Sequence, residues 1–125
     1  MTTVHIAAST AYDVEIGSGL LARAGEAIAA RIAPCRAAII TDDTVDGLYG
    51  AAVETSLRES GFDTVKFVFP HGESSKNLAV FGQALNFLAA HRLSRTDLVV
   101  ALGGGVVGDL AGFVSAVYLR GIRCV

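Results

Sequence analysis

Polar and apolar residues follow two different periods along this chain, and the elements they predict alternate between strand and helix. The first two candidates, TVHIAA and YDVEIG, are short and separated by a turn-like STA, which predicts an antiparallel strand pair. Longer segments with apolar residues at helical spacing then alternate with short apolar runs. These predict helices and buried strands in turn.

After residue 18 the predicted helices cover 19–33, 44–61, 78–93 and 106–120, and the predicted strands cover 37–42, 64–69 and 97–102. Alternation of this kind is typical of an α/β protein with a mainly parallel sheet flanked by helices on both faces. We therefore predict a Rossmann-like fold with an N-terminal antiparallel β pair, in a single domain over residues 1–125.

Local signals refine the helix ends and faces. Ser18 is a candidate cap for the first helix, and Gly61 is well placed to end the second. The helix over 78–93 should bury one apolar face. That face consists of Leu78, Phe81, Leu85 and Leu88.

One long apolar run, residues 98–119, has a length that suits a membrane span. Asp109 falls at its centre, where a charge is costly, and three consecutive glycines from Gly103 would weaken a helix. The run divides better into a buried strand, a glycine turn and a helix that is apolar nearly all round. We therefore expect no membrane association.

Composition supports a globular domain, since 52% of residues are apolar and 18% are charged. The net charge of −2 is scattered, so no nucleic-acid surface is indicated. Cys35 and Cys124 form no C-x-x-C pair and are expected to be free thiols in a reducing, cytoplasmic setting. No signal peptide is recognisable at the N-terminus.

The final residues, GIRCV, have the pattern of a further strand that begins as the chain ends. A natural domain rarely ends inside an apolar strand. We therefore expect residues 1–125 to be the N-terminal piece of a longer protein.

Three small or polar loops leave the carboxyl ends of the predicted parallel strands, where open sheets bind ligands. They are TDDT, PHGESSKN and GGGVVGD. The third formally matches G-x-G-x-x-G through Gly103, Gly105 and Gly108, with a helix N-terminus behind it. A tight strand–helix turn with close packing explains the same glycines, so the pattern leaves both interpretations open.

The polar residues in these loops have alternative roles as well. Asp109 either complements the helix dipole as a first-turn acid or accepts hydrogen bonds from a ribose or an amide. Glu73 and Lys76 either form a solvated pair, with Ser74 or Ser75 as a helix cap, or contact a hydroxyl and a phosphate. Thr44 is equally a helix-cap candidate.

The histidines, His5, His71 and His91, fall on separate elements without a ligand motif, so we predict no metal site within these residues. No G-x-S-x-G elbow and no cysteine with an obvious base is present. Arg120 and Arg123 follow the last helix, where they could cap its C-terminus.

Taken in order, TDDTVDGLYG, PHGESSKNL and GGGVVGDLAGFVSAVYLRGI closely resemble the N-terminal, nucleotide-binding part of the 3-dehydroquinate synthase family. The resemblance implies NAD and a divalent metal, zinc or cobalt, whose ligands lie outside this chain. It implies conversion of 3-deoxy-D-arabino-heptulosonate 7-phosphate to 3-dehydroquinate and phosphate, in the shikimate pathway. It implies no catalytic residue within 1–125 and a homodimer with a sugar-phosphate substrate.

The resemblance also implies roles for individual residues. Asp42 and Thr44 would contact the adenosine part of NAD, and Arg120 would reach substrate across a dimer interface. The remaining cofactor contacts would come from His71, Gly72, Glu73, Ser74, Ser75, Lys76, Gly104, Gly105, Val106, Val107, Gly108 and Asp109. His71 departs from the family, in which an acidic or small residue often precedes GE.

Three alternatives remain open. Related cyclases act on other sugar phosphates, and the residues that select substrate mostly lie outside this chain. Metal-dependent alcohol and glycerol dehydrogenases share a GGG…D turn, although Val106 stands where they usually carry serine. A non-catalytic nucleotide-binding or assembly module is the third. For residues 1–125 alone we expect no turnover and weak NAD binding at best.

Overall fold

A parallel sheet with helices on both faces forms the body of the computed structural model, which describes all residues from Met1 to Val125. Its strands are β3 (Arg36–Asp42), β4 (Asp63–Phe69), β5 (Leu98–Leu102) and β6 (Arg123–Cys124), in the order β4-β3-β5-β6. Every neighbouring pair is parallel. The predicted fold class is confirmed, and the expected final strand is β6.

A separate two-stranded antiparallel sheet precedes this body. It consists of β1 (Thr2–Ile6) and β2 (Tyr12–Ile16), paired from Thr2 opposite Ile16 to Ile6 opposite Tyr12. The predicted strand pair is therefore confirmed.

The helices follow the predicted order with different bounds. They are α1 (Ala24–Ala29), α2 (Asp43–Val45), α3 (Ala51–Glu59), α4 (Leu78–Ala90) and α5 (Gly105–Val117). A π-helical turn, Asp46–Gly50, joins α2 to α3, and 3₁₀ turns cover Leu21–Arg23, Glu73–Ser75 and Tyr118–Arg120.

The two central strands, β3 and β5, bury both of their faces. Along β3, Ala38 and Ile40 point into a cluster formed with α4 and α5, whereas Ala37 and Ile39 point into a cluster formed with α1 and α3. Because successive side chains of a strand alternate between faces, one apolar run serves two cores. Full burial of one large aliphatic side chain contributes about 1.5–3 kcal/mol, so the double coverage makes β3 the centre of the fold.

Several helix-end predictions were wrong. The first helix is short and has no side-chain cap, because a 3₁₀ turn begins it after Leu20 rather than at Ser18. Asp42, not Thr44, caps α2, and Asn77, not Ser74 or Ser75, caps α4. Gly61 does end the second predicted helix, in the left-handed region with φ +95°.

The buried face of α4 agrees with the prediction except at its start. Leu88 is buried together with Val80 and Ala84, and Phe81 and Leu85 are half-buried against the same core, while Leu78 is 78% exposed. The helix begins immediately after its Asn77 cap, so Leu78 lies in an uncovered first turn. Helix α5 is apolar on nearly every side, but it is not buried on every side, since Phe113 and Val117 are exposed.

Ion pairs connect Lys66 of β4 to the π-helical turn and to α3. Lys66 Nζ lies 2.7 Å from Asp46 Oδ1 and 2.7 Å from Glu54 Oε1. These two carboxylates raise the pKa of the Lys66 ammonium. A Cβ on Gly50 would stand 1.9 Å from Asp46 Oδ1, so a larger residue there would displace the Asp46 carboxylate that meets Lys66.

No helix has the length and apolar character needed to cross a membrane. The run over 98–119 divides at the glycines into β5, a turn and α5.

Candidate functional site

The three polar loops leave the same rim of the sheet because β3 lies between β4 and β5. Asp42 pairs with Phe69 across β3 and β4, and Thr41 pairs with Leu102 across β3 and β5. The buried Thr41 hydroxyl donates to the Leu102 carbonyl at 2.7 Å, which ties the two strand ends together. The loops that follow these residues therefore start side by side.

The loop after β3 is short because α2 begins at once. The Asp42 carboxylate accepts from the Val45 backbone N–H at 2.7 Å, as an N-cap does. Thr44 lies inside the first turn. Since one Asp42 oxygen is used by the cap, the other is the one available to a ligand.

The next residue, Asp43, holds the loop that follows β4. Its Oδ1 lies 2.7 Å from His71 Nδ1 and accepts from the His71 backbone N–H at 3.0 Å. The hydrogen bond to His71 lowers the pKa of the Asp43 carboxyl, and the same contact raises the pKa of the His71 imidazole. Both side chains are solvent-exposed.

Beyond His71, the loop turns sharply and forms one 3₁₀ turn. Gly72 adopts φ +100°, which an L side chain rarely accepts. The buried Ser75 hydroxyl donates to the Pro70 carbonyl, so that side chain closes the loop on itself. Asn77 accepts from the Val80 N–H at 2.9 Å and starts α4.

Lys76 crosses from this loop to α5. Its Nζ lies 2.8 Å from Asp109 Oδ2. The carboxylate raises the pKa of the Lys76 ammonium. Asp109 is the fifth residue of α5 rather than a first-turn acid, so the helix-dipole interpretation loses its basis. With Lys76 beside it, Asp109 no longer repels an anion approaching the glycine turn.

The glycine turn exposes unpartnered backbone at the start of α5. Gly103, with φ +154°, is required by the fold, since a Cβ there would stand 2.5 Å from Val107. A Cβ on Gly104, Gly105 or Gly108 would meet nothing within 4 Å. No side chain caps the helix, whose first N–H groups are therefore free to bind an anion.

A groove of about 330 Å³ continues from this rim between α4 and α5. Lys76 and Asp109 form its polar mouth, and Phe81 and Phe113 stack at 4.5 Å on its apolar side. The remaining lining residues are Asn77, Leu78 and Leu110. The groove can accept a planar or apolar group next to a charged one.

The structure thus brings most of the predicted residues to one rim. Ser75 and Val107 contribute only backbone, because the Ser75 hydroxyl is bonded to Pro70 and Val107 is buried in the core. Arg120 lies apart, beyond the opposite end of α5 and roughly 20 Å along that helix. A contact of Arg120 with substrate across a dimer interface stays a prediction.

Sequence reasoning assigned no site role to Asn77, Phe81 or Phe113, and it did not predict that Asp43 meets His71. An asparagine directly before an apolar helix is a cap signal that could have found Asn77. The stacking of Phe81 on Phe113 depends on how α4 packs against α5, which no local pattern encodes. No group of three or more His, Cys, Asp or Glu side chains is arranged to hold a metal ion, and both cysteines are free.

The sheet order and the rim define a Rossmann-like α/β domain, and the comparisons agree. The structure superposes with TM-score 0.77 on 2-epi-5-epi-valiolone synthase from Streptomyces hygroscopicus subsp. jinggangensis 5008, solved with NAD+ and Zn2+ bound, at 28% identity over 95% of this chain and 32% of that one. A 2-deoxy-scyllo-inosose synthase complexed with carbaglucose-6-phosphate, NAD+ and Co2+ matches with TM-score 0.85 at 23% identity, over 98% and 34%.

Sequence comparison identifies the family. Residues 66–125 match the family model of the 3-dehydroquinate synthase N-terminal region. The chain is 50% identical over 124 residues to 3-dehydroquinate synthase of Paracoccus denitrificans (strain Pd 1222), which covers 98% of this chain and 34% of the relative. The chain is therefore a relative of the 3-dehydroquinate synthases, and it spans about a third of the length of the curated relatives it matches.

Proposed function

We propose that this chain is the nucleotide-binding part of a 3-dehydroquinate synthase and that the rim described above binds NAD. The uncapped start of α5 carries the proposal. Its glycines face open space, and its nearest acid is neutralised by Lys76. That combination suits a diphosphate, which needs free N–H donors and close approach to the backbone.

Each loop then has a distinct task. The amides of Gly105 and Val106 bind the diphosphate, and the second oxygen of Asp42 accepts from the adenosine ribose. Glu73 and Lys76 orient the ribose hydroxyls. Asp109 receives the amide side of the nicotinamide when Lys76 moves to the ligand.

The overall reaction would be the conversion of 3-deoxy-D-arabino-heptulosonate 7-phosphate to 3-dehydroquinate with loss of phosphate, a lyase step of the shikimate pathway. When bound, NAD supplies a transient oxidation of one substrate hydroxyl, which a zinc or cobalt ion would polarise. The family and its likeness to sugar-phosphate cyclases support this class of chemistry. The alternative within that class is another sugar-phosphate cyclase.

The test is a titration of the isotopically labelled chain with NAD+, followed by NMR. We expect the amide signals of Gly104, Gly105 and Val106 to shift, with an affinity weaker than micromolar because the chain covers a third of its relatives' length. Adenosine, which lacks the diphosphate, is the control and should leave these amides unmoved. An absence of shifts at the glycine turn would remove the proposal.

We further propose that residues 1–125 alone do not turn over. They contain no group of side chains able to hold the metal that the reaction needs. Phosphate release from sugar phosphate by the purified chain, with NAD+ and Zn2+ supplied, would contradict this.

A further inference from the structure

His71 joins two of the three rim loops through a single carboxylate oxygen. Its ring Nδ1 lies 2.7 Å from Asp43 Oδ1, and its backbone N–H donates to the same atom at 3.0 Å. Asp43 is the first residue of α2, directly after the Asp42 cap. The contact therefore fixes the start of the 70–77 loop relative to the end of β3.

The same loop is fixed a second time at its other end. Lys76 reaches Asp109 at 2.8 Å, so the segment 71–76 is held between α2 and α5 and passes the end of the central strand. Between the two ionic contacts lie Gly72, with φ +100°, and the 3₁₀ turn Glu73–Ser75. When a ligand recruits Lys76, the contact of His71 becomes the remaining ionic tie of this segment.

We propose that His71 is a positioning residue: its contact with Asp43 holds the segment 71–76 in the arrangement that binds the dinucleotide, and the affinity consequently depends on the proton that His71 carries. This inference rests on the proposed function. It assigns to His71 a role through Asp43 rather than a direct contact with NAD.

The direction of the pH dependence follows from the charges. The groups that act on His71 are Asp43, by contact, and Asp42, by its field, and both favour the protonated imidazole. The ionic part of the tie is therefore complete below the usual histidine pKa of about 6.5 and is lost as the pH rises through the raised value, while the hydrogen bond from the His71 backbone N–H stays. At the acid end it is lost as the pH falls through the lowered pKa of Asp43.

The experiment measures NAD+ affinity of the chain by NMR titration between about pH 6 and about pH 9, where histidine titrates. We expect wild-type affinity to fall about two- to fivefold across this range, the effect of one exposed ion pair. Asp43→Asn should lower the affinity at pH 6 and flatten the profile. His71→Gln, which is neutral at every pH, should hold the affinity at the wild-type value of pH 9 and flatten the profile.

The chain offers a matched control. His5 Nδ1 and Asp13 Oδ1 form a second exposed pair at 2.8 Å, on the separate β1–β2 hairpin. Asp13→Asn removes this pair and should leave the pH profile of NAD+ affinity unchanged. A change equal to that of Asp43→Asn would show a general charge effect and overturn the inference.

Failure of the inference is distinct from failure of the proposed function. If NAD+ binds and Asp43→Asn retains the wild-type pH profile, the inference is wrong and the proposed function stands. If NAD+ binds at no pH, the proposed function is wrong, and so is the claim that the His71 contact supports dinucleotide binding. The loop part of the inference is then judged by the Gly72 amide signal, which must titrate with His71 at a higher pH in the wild type than in Asp43→Asn.

Discussion

The glycines of the turn divide into those that the fold needs and those that it does not. Gly103 is confined by Val107 and by its φ of +154°, so alanine there should destabilise the chain. Gly108 and Gly112 lie inside α5, where glycine is a poor helix former, and both face open space. Of the two, Gly108 lies in the first turn, beside the free N–H groups that are proposed to bind the diphosphate.

Gly108→Ala should raise the free energy of unfolding by about 0.5–1 kcal/mol and weaken NAD+ binding roughly tenfold. Alanine loses less conformational entropy than glycine when the helix folds, which stabilises the chain. Its methyl group would also occupy space that the bound diphosphate needs. Urea denaturation and NAD+ titration measure the two effects. Gly112→Ala, one turn further along α5, should stabilise equally without affecting NAD+, and equal affinities of the two variants would refute the assignment.

At the scale of elements, α3 and α4 end in the same way with different residues. Phe62 N–H donates to Leu57 C=O at 3.0 Å after α3, and Leu93 N–H donates to Leu88 C=O at 3.0 Å after α4. In both ends the preceding residue is left-handed, Gly61 with φ +95° and Arg92 with φ +56°. These are Schellman ends, in which glycine is strongly preferred at that position.

Arg92→Gly should consequently stabilise the chain by about 1 kcal/mol, because the left-handed conformation costs a residue with a Cβ about that much. Arg92 is exposed and its side chain forms no ion pair, so little is lost. The midpoint of urea unfolding measures the change. Gly61→Ala is the converse and should destabilise by a similar amount; a stabilised Gly61→Ala would invalidate the reasoning.

At the scale of the whole molecule, an apolar surface extends along α5 away from the rim. Phe113 is 54% exposed although it stacks on Phe81, and Val117 and Leu119 are exposed beyond it. Contiguous apolar residues on a surface are typical of an interaction site. We propose a second copy of the chain as the occupant, in accordance with the homodimer that the family resemblance implies.

Phe113→Ser should reduce self-association, observed by sedimentation velocity over a concentration series. Tyr12→Ser is the matched control, since Tyr12 is an aromatic residue of nearly equal exposure, 55%, on the separate hairpin. It should leave the association unchanged. Wild-type chain that stays monomeric throughout the series would contradict the proposal.

Sequence patterns determined the features that depend on neighbours along the chain. Continuous apolar runs marked β3 and β5, because strands buried on both faces have no polar side. The edge strand β4 contains Lys66 and was marked instead by its β-branched and aromatic residues. Three consecutive glycines marked the strand–helix turn. Helix caps were predicted poorly, because the start of each helix offers several competing polar side chains, such as Asp42 and Thr44 at α2.

Tertiary structure alone decided which polar residues meet. His71 and Asp43 are 28 positions apart, and Lys76 and Asp109 are 33 apart. Both contacts exist because the sheet order places β3 between β4 and β5, and no periodicity along the chain encodes that order. The sequence by itself therefore determined the strands, the turn and the family likeness. Packing of the strands decided how the three loops share one rim, since distant segments interact only after the sheet has formed.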